Sequence, residues 1–225
     1  MRKLFLASSF RTLLADKKLK SELMKFLPKK PKDILIGHIP NAGDVEDDIS
    51  YIKESTDQLL AMGMKIKKID LREEKTNSLR KKLADCDVIF VNGGNTFYLL
   101  DIIHKSGFDK VLPELLDAGK IYISASAGSY IACPTIEQAG WKHTDPDKNV
   151  VGLKDLTAMK LVPFIITAHY NRENYQGRSV EQEIVKTKYP VVALYDTQAV
   201  KVEGDKYQVV GDGKREFFNG FEERI

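Results

Sequence analysis

The chain has 225 residues, of which 43% are hydrophobic; this is enough to bury a sizeable core, and we expect one domain over residues 1–225. A formal net charge of +3, from 35 Lys and Arg against 32 Asp and Glu, gives no reason to expect a nucleic acid as partner. Cys86 and Cys133 lack the spacing of a metal site or a disulfide framework, and the N-terminal apolar run is too short for a signal peptide or membrane span, so cytoplasmic residence is the default expectation.

Short apolar runs alternate with longer amphipathic segments along the chain. This pattern predicts βα units and a mostly parallel sheet flanked by helices. Strands are predicted at residues 4–7, 33–38, 65–71, 88–91, 121–123, 164–168 and 191–194, followed by an antiparallel hairpin of 199–203 and 207–210. Helices are predicted as one stretch ending near residue 27, and at 47–62, 78–84, 96–106, 109–118 and 180–188, with another starting near residue 128.

The segment 120–130 has the pattern of a nucleophile elbow, in which a strand turns sharply into a helix. Ser126 is at the apex, and the residues two before and two after it, Ser124 and Gly128, are small, as so tight a turn requires. The apex side chain would be exposed, and the N–H groups at the helix start would be free to hold an oxyanion. A plain strand-to-helix turn capped by serine explains the segment equally well.

A second segment, residues 92–96, reads Asn-Gly-Gly-Asn-Thr between a predicted strand and helix. Glycines there allow backbone N–H groups to approach a phosphate or an oxyanion closely. It is a weak phosphate loop, because no Lys-Ser/Thr follows and the GxGxxG spacing is missing. A tight turn without a ligand is the alternative.

His169 and Asp196 each follow a predicted strand, where open α/β sheets place their sites. We expect His169 to lie on the same sheet edge as Ser126, because a serine hydroxyl needs an imidazole to accept its proton. Asp196 is the first choice to orient that imidazole, with Asp145 and Asp147 as competitors. They lie in the polar segment 137–156, which we expect to border the site as a loop, with Trp141 as a wall.

The motifs Asn92-Gly-Gly-Asn-Thr-Phe97, Ser126-Ala-Gly128, Ala132-Cys-Pro-Thr-Ile136 and Ala168-His-Tyr-Asn171 resemble the peptidase E (α-aspartyl dipeptidase) family over nearly the whole chain. The resemblance implies a serine peptidase of small peptides on a fold similar to the class I glutamine amidotransferases, without metal or organic cofactor. A cyanophycinase-like or other amide hydrolase is the alternative enzyme. A catalytically silent binding protein is the alternative outside enzymes.

The resemblance also implies roles for individual residues. Ser126 matches the nucleophile and His169 the general base, while Gly94 and Ala127 match the backbone donors of the oxyanion hole. Asp196 matches a position where the family's dipeptidases carry glutamate. Another place from which an acid has been assigned in the family holds Gly140-Trp-Lys-His143 here, without a carboxylate, which favours Asp196.

Two departures from the family concern the turn and the substrate. Ser124 replaces the family's elbow glycine, which is tolerable because serine is small. Val180 stands where aspartyl-specific members carry an arginine that binds the substrate's carboxylate. The candidate substrate-binding residues are therefore Asn95, Arg172 and Arg178, and we expect no strong preference for an N-terminal aspartate. The physiological substrate and the oligomeric state are not fixed by the sequence.

Overall fold

The computed structural model describes residues 1–142 and 146–225, apart from the side chains of Tyr175 and Gln176. Within these ranges, the strands form a seven-stranded main sheet and a three-stranded small sheet. The strands are β1 (Lys3–Ala7), β2 (Leu35–Ile39), β3 (Lys65–Lys68), β4 (Val88–Val91), β5 (Ile121–Ala125), β6 (Ile165–Thr167), β7 (Val191–Ala193), β8 (Gln198–Glu203), β9 (Lys206–Gly211) and β10 (Glu216–Phe218).

The main sheet has the order β3-β2-β4-β5-β1-β8-β9. Strands β3, β2, β4, β5 and β1 run parallel, whereas β8 and β9 continue the sheet antiparallel. The predicted mostly parallel sheet flanked by helices is confirmed. The helices are α1 (Phe10–Ala15), α2 (Lys17–Phe26), α3 (Ser50–Ala61), α4 (Thr76–Leu83), α5 (Thr96–Ser106), α6 (Phe108–Asp117), α7 (Ala127–Tyr130) and α8 (Tyr175–Ile184).

Both faces of the main sheet are buried, and β1 shows how the sequence provides for this. Successive side chains of a strand point to opposite faces. Leu4 and Leu6 pack with the helices α4 to α7, while Phe5 and Ala7 pack with α1, α2 and α3. No helix in the described ranges combines the length and the apolar character needed to cross a bilayer.

The small sheet corrects the expectation that His169 lies on the same sheet edge as Ser126. Its order is β10-β7-β6, with β6 parallel to β7 and β10 antiparallel to it. Strand β8 pairs with β1 in the main sheet, so β6 and β7 form their own sheet instead of extending it. His169 and Asp196 follow β6 and β7, so they approach Ser126 from a different sheet.

One predicted helix is divided in the structure, and another is very short. The stretch ending near residue 27 is two helices, because Asp16 has an extended backbone and its carboxylate caps α2 by accepting a hydrogen bond from the Leu19 N–H at 2.7 Å. The helix after the elbow, α7, ends at Tyr130, so Cys133 lies beyond it. Burial raises the pKa of the Cys133 thiol to about 12, so this thiol stays protonated and is a poor nucleophile.

Candidate active site

Ser126 lies at the apex between β5 and α7 in a backbone conformation that side chains rarely adopt. Its φ is 49° and its ψ is −117°. Its N–H donates to the carbonyl oxygens of Ala7, at 3.1 Å, and Ser8, at 3.2 Å, which lie at the end of the neighbouring strand β1. The end of β1 thus holds the turn in place, and the Ser126 side chain lies at a cavity described below.

The residues around the apex are as small as the turn requires. A Cβ atom on Gly128 would lie 2.4 Å from the carbonyl oxygen of Val91, closer than any real contact. The Ser124 side chain is fully buried in the turn, and its hydroxyl forms a hydrogen bond with that of Ser129 at 2.9 Å. Ser129 in turn donates to the carbonyl of Ala7 at 2.8 Å. The serine in place of an elbow glycine is therefore accommodated with its polar atom paired.

Ser126, His169 and Asp196 are brought together into one hydrogen-bonded chain. His169 Nε2 lies 3.1 Å from Ser126 Oγ, and His169 Nδ1 lies 2.6 Å from Asp196 Oδ1. Because a carboxylate only accepts, Nδ1 carries the ring proton and Nε2 is left to accept from the serine hydroxyl. This is the arrangement in which an imidazole can take a proton from a hydroxyl as it becomes a nucleophile.

Asp196 is held in its charged form by its neighbours. Partial burial raises the pKa of this carboxyl. The hydrogen bond from His169, the charge of that imidazole and the hydrogen bond from Ser8 lower the pKa, and together they outweigh the effect of burial. The net pKa is below the usual aspartate value. Asp196 is therefore ionised at neutral pH, as a group that orients an imidazole should be.

Two backbone N–H groups beside Ser126 are free to bind an oxyanion. Within the described part of the chain, neither the Gly94 nor the Ala127 N–H donates a hydrogen bond. Gly94 has a φ of 131°, which favours glycine, and a Cβ there would lie 2.4 Å from the carbonyl oxygen of Ala42. The Asn95 N–H donates to the same carbonyl at 2.7 Å and fixes the loop against it.

Tyr51, which the sequence gave no reason to single out, holds the peptide unit that contains the Gly94 N–H. Its hydroxyl donates to the carbonyl oxygen of Gly93 at 3.3 Å. The peptide is planar, so the direction of that C=O sets the direction of the Gly94 N–H. Burial and nearby carboxylates raise the pKa of Tyr51 to about 12, so the hydroxyl remains a donor at neutral pH.

A cavity of about 580 Å³ opens beside Ser126 and His169. In the described ranges, no group of three or more His, Cys, Asp or Glu side chains is arranged to hold a metal ion. Among the described residues that line the cavity, the anionic ones are Glu46, Asp47, Asp48 and Asp147, and the cationic ones are Arg11, Lys142 and Lys148. Both signs of charge thus face the space beside Ser126.

The segment after residue 145 borders this cavity, as the sequence predicts. Asn95 caps α5 by accepting from the Tyr98 N–H at 3.0 Å, and its amide donates to the Lys148 carbonyl at 3.0 Å. The Asp147 carboxylate accepts from the Thr96 N–H at 2.8 Å, at the positive end of the α5 dipole. Asp147 is therefore used at α5 rather than at His169, and its fellow candidate Asp145 lies outside the described residues.

Trp141 is not a wall of the cavity, and that prediction is wrong. Its side chain is 6% exposed and packs with Val180, Ile165 and Tyr170 in a core between α8 and the small sheet. Val180 is itself 2% exposed in that core. The position that the resemblance matches to a substrate-binding arginine is thus occupied here by a packed apolar residue.

The three predicted substrate-binding residues lie in different surroundings. Asn95 lines the cavity, although its amide atoms make the contacts given above. The Arg172 guanidinium lies 3.4 Å from Glu181 and 3.7 Å from Glu216, whereas Arg178 is exposed on α8. Neither arginine is among the described residues that line the cavity. A part for them in substrate binding stays a prediction.

Comparisons with known proteins agree with this architecture. The sequence profile of Peptidase family S51 matches residues 4–210, which include Ser126, His169 and Asp196. An uncharacterized peptidase of Pasteurella multocida is 31% identical over 217 residues, 95% of this chain and 100% of that protein. Peptidase E of Shewanella denitrificans is 29% identical over 91% of this chain and 85% of its own. A solved structure of a candidate peptidase E from Listeria monocytogenes has a TM-score of 0.81 at 27% identity, covering 95% of this chain and 100% of that one.

Proposed function

The chain belongs to peptidase family S51 and is a serine peptidase. We propose that it hydrolyses small peptides with Ser126 as nucleophile, His169 as general base and Asp196 as the carboxylate that orients the imidazole. The observation that carries the proposal is the continuous hydrogen-bonded chain of these three side chains, with contacts of 3.1 and 2.6 Å. In the reaction, Ser126 Oγ attacks the peptide carbonyl carbon while His169 Nε2 accepts the hydroxyl proton. Asp196 stabilises the imidazolium that results.

Backbone N–H groups then stabilise the negative charge that develops on the substrate's carbonyl oxygen. As the carbonyl oxygen becomes an oxyanion, the N–H groups of Gly94 and Ala127 bind it, each contributing on the order of 3 kcal/mol to the transition state. The imidazolium of His169 gives its proton to the leaving amine, and the acyl group remains on Ser126. Water, deprotonated by the same imidazole, hydrolyses the acyl-enzyme and restores the serine.

The size of the cavity supports a small substrate. Ligand pockets of roughly 300–1,000 Å³ enclose most of a drug-sized molecule, and the cavity of about 580 Å³ is in this range. A dipeptide or tripeptide has that size. Charged side chains of both signs on the cavity wall suit a substrate with a free ammonium and a free carboxylate group.

The test is labelling with a serine-reactive fluorophosphonate, followed by hydrolysis of a dipeptide library. The native enzyme should be modified at Ser126, as located by mass spectrometry, and the heat-unfolded enzyme should not be. Ser126→Ala should lose the label and at least about 10³-fold of kcat/KM, with an unchanged circular dichroism spectrum. Unmodified native enzyme would instead indicate a silent binding protein. Turnover by Ser126→Ala at the native rate would refute the assignment of the nucleophile.

A further inference from the structure

Ser8 is a fully buried polar residue that the proposed reaction does not use directly. It follows the last residue of β1, the strand that lies between β5 and β8 in the main sheet. A buried hydroxyl lowers stability unless it is hydrogen-bonded, so its contacts indicate why the position is polar. The sequence signal is weak: a serine directly after an apolar strand.

The contacts of Ser8 reach all three members of the proposed triad. Its hydroxyl oxygen accepts a hydrogen bond from the His169 backbone N–H at 2.7 Å. The hydroxyl lies 3.1 Å from Asp196 Oδ1 and 3.2 Å from the Leu194 carbonyl, which share its one proton. Its backbone carbonyl accepts from the Ser126 N–H at 3.2 Å. One residue at the end of β1 thus connects the small-sheet residues to the main-sheet serine.

The Ser8 hydroxyl contacts the His169 backbone and the Asp196 side chain at points where neither is rigid by itself. His169 has a φ of 56°, a strained conformation for a residue with a side chain. The hydrogen bond from its N–H to the Ser8 hydroxyl oxygen helps to keep the backbone in that conformation. The Asp196 side chain is half exposed and could rotate about its own bonds. Because Ser8 and His169 Nδ1 share the same oxygen, Oδ1, the Ser8 contact fixes that oxygen toward the imidazole.

We infer that Ser8 is a positioning residue that fixes His169 and Asp196 relative to Ser126. The inference rests on the proposed function of that triad. It requires no contact between Ser8 and the scissile bond. Its effect should therefore appear in kcat more than in KM, and it should depend on the presence of Asp196.

The kinetic experiment compares Ser8→Ala with the matched control Ser106→Ala. Ser106 is also buried, accepts from the Phe108 N–H and donates to the Ile103 carbonyl, but lies at the end of α5. We expect Ser8→Ala to lower kcat about 10- to 100-fold with KM within about twofold, and Ser106→Ala to leave both within about twofold. In an Asp196→Asn background, Ser8→Ala should cost less than about threefold, because coupled residues are not additive. An equal loss in both backgrounds, or native kcat in Ser8→Ala, would overturn the inference.

A second readout does not depend on turnover. The proton in the 2.6 Å contact between His169 and Asp196 should give a far-downfield proton NMR resonance in the native enzyme. Ser8→Ala should shift or broaden that resonance, and Ser106→Ala should not. An unchanged resonance in Ser8→Ala would refute the positioning role even if no peptide is hydrolysed. If Ser8→Ala does not fold, Ser8→Cys fills the site with a slightly larger thiol that weakens the hydrogen bonds to His169 and Asp196, and the same outcomes apply to it.

Discussion

Among single residues, Asp196 has the most direct consequence for pH dependence. Its pKa is below the ordinary carboxyl value, so the stabilising contact with His169 is fully present above that ordinary value and is lost as the pH falls through the lower, folded-state pKa. Acid should therefore lower the free energy of unfolding once the pH falls below the ordinary carboxyl value, because this carboxylate then loses its charge and its contact with the imidazole. We predict that urea unfolding over this pH range shows a smaller loss of stability for Asp196→Asn than for the native enzyme.

Replacing the carboxylate tests the same residue. Asp196→Asn should lower kcat by about 10³- to 10⁴-fold, because the imidazole loses both its orienting partner and the charge that stabilises it. The matched control is Asp205→Asn, in the exposed turn between β8 and β9. An Asp196→Asn variant that keeps a tenth of native kcat would assign the orienting carboxylate to another residue.

Tyr51 gives a second prediction at this scale. In Tyr51→Phe the Gly93 carbonyl loses a donor, so the peptide unit that carries the Gly94 N–H is held less firmly. The loss of one hydrogen bond of about 1 kcal/mol should lower kcat about 3- to 10-fold and leave KM within about twofold. Tyr189→Phe, two residues before β7 and not among the described residues that line the cavity, serves as control. If a larger change in KM than in kcat is measured, Tyr51 contacts the substrate instead.

At the scale of elements, the tight packing of the elbow makes a prediction about stability. Gly128→Ala places a methyl group 2.4 Å from the Val91 carbonyl and 3.1 Å from the Ser124 side chain, so β4, β5 or α7 must shift. Such overpacking should lower the free energy of unfolding by about 1–3 kcal/mol and reduce activity as Ser126 moves. Gly140→Ala, where no atom of the described residues lies within 4 Å of the new Cβ, should change little. Urea unfolding of both variants measures the difference, and equal stabilities would contradict the packing argument.

Local sequence patterns indicated most helices and strands. The errors arose where contacts between distant segments decide the structure. Strand β4 and helix α5 have the predicted bounds, because an apolar run and a capped amphipathic segment are local signals. The break at Asp16 and the early end of α7 depend on caps and tertiary contacts that periodicity does not report. Likewise, Ser126, His169 and Asp196 could be singled out from motifs, whereas Tyr51 acts through a contact between distant segments.

At the scale of the whole molecule, the proposed site joins two sheets, which no local pattern predicts. The separation of β6 and β7 from the main sheet is decided by which strand pairs with β1, and apolar runs of similar length do not distinguish these partners. The burial of Trp141 also depends on this separate sheet, because the Trp141 side chain fills the space between α8 and the small sheet.

The cavity as a whole predicts the substrate preference. A fixed cation is needed to favour an N-terminal aspartate, because an unpaired carboxylate in a closed pocket is costly. Here Val180 is in the core, and the described residues that line the cavity include carboxylates as well as cations. We predict that kcat/KM for Asp-Leu exceeds neither Ala-Leu nor Leu-Leu by more than about tenfold. A preference of about a hundredfold, near 2.7 kcal/mol, would show that a cation binds the substrate side chain.

The backbone angles of Ser126 have a consequence for the balance between activity and folding. A side chain at φ 49° and ψ −117° destabilises the native state by roughly 1–3 kcal/mol, and glycine would relieve most of it. Glycine normally lowers stability relative to alanine through the entropy of the unfolded chain. Here we expect the opposite order: the free energy of unfolding, measured with urea, should be about 1 kcal/mol larger for Ser126→Gly than for Ser126→Ala. Selection for stability alone would then place glycine at this position, and the hydroxyl is retained at the expense of a less stable protein.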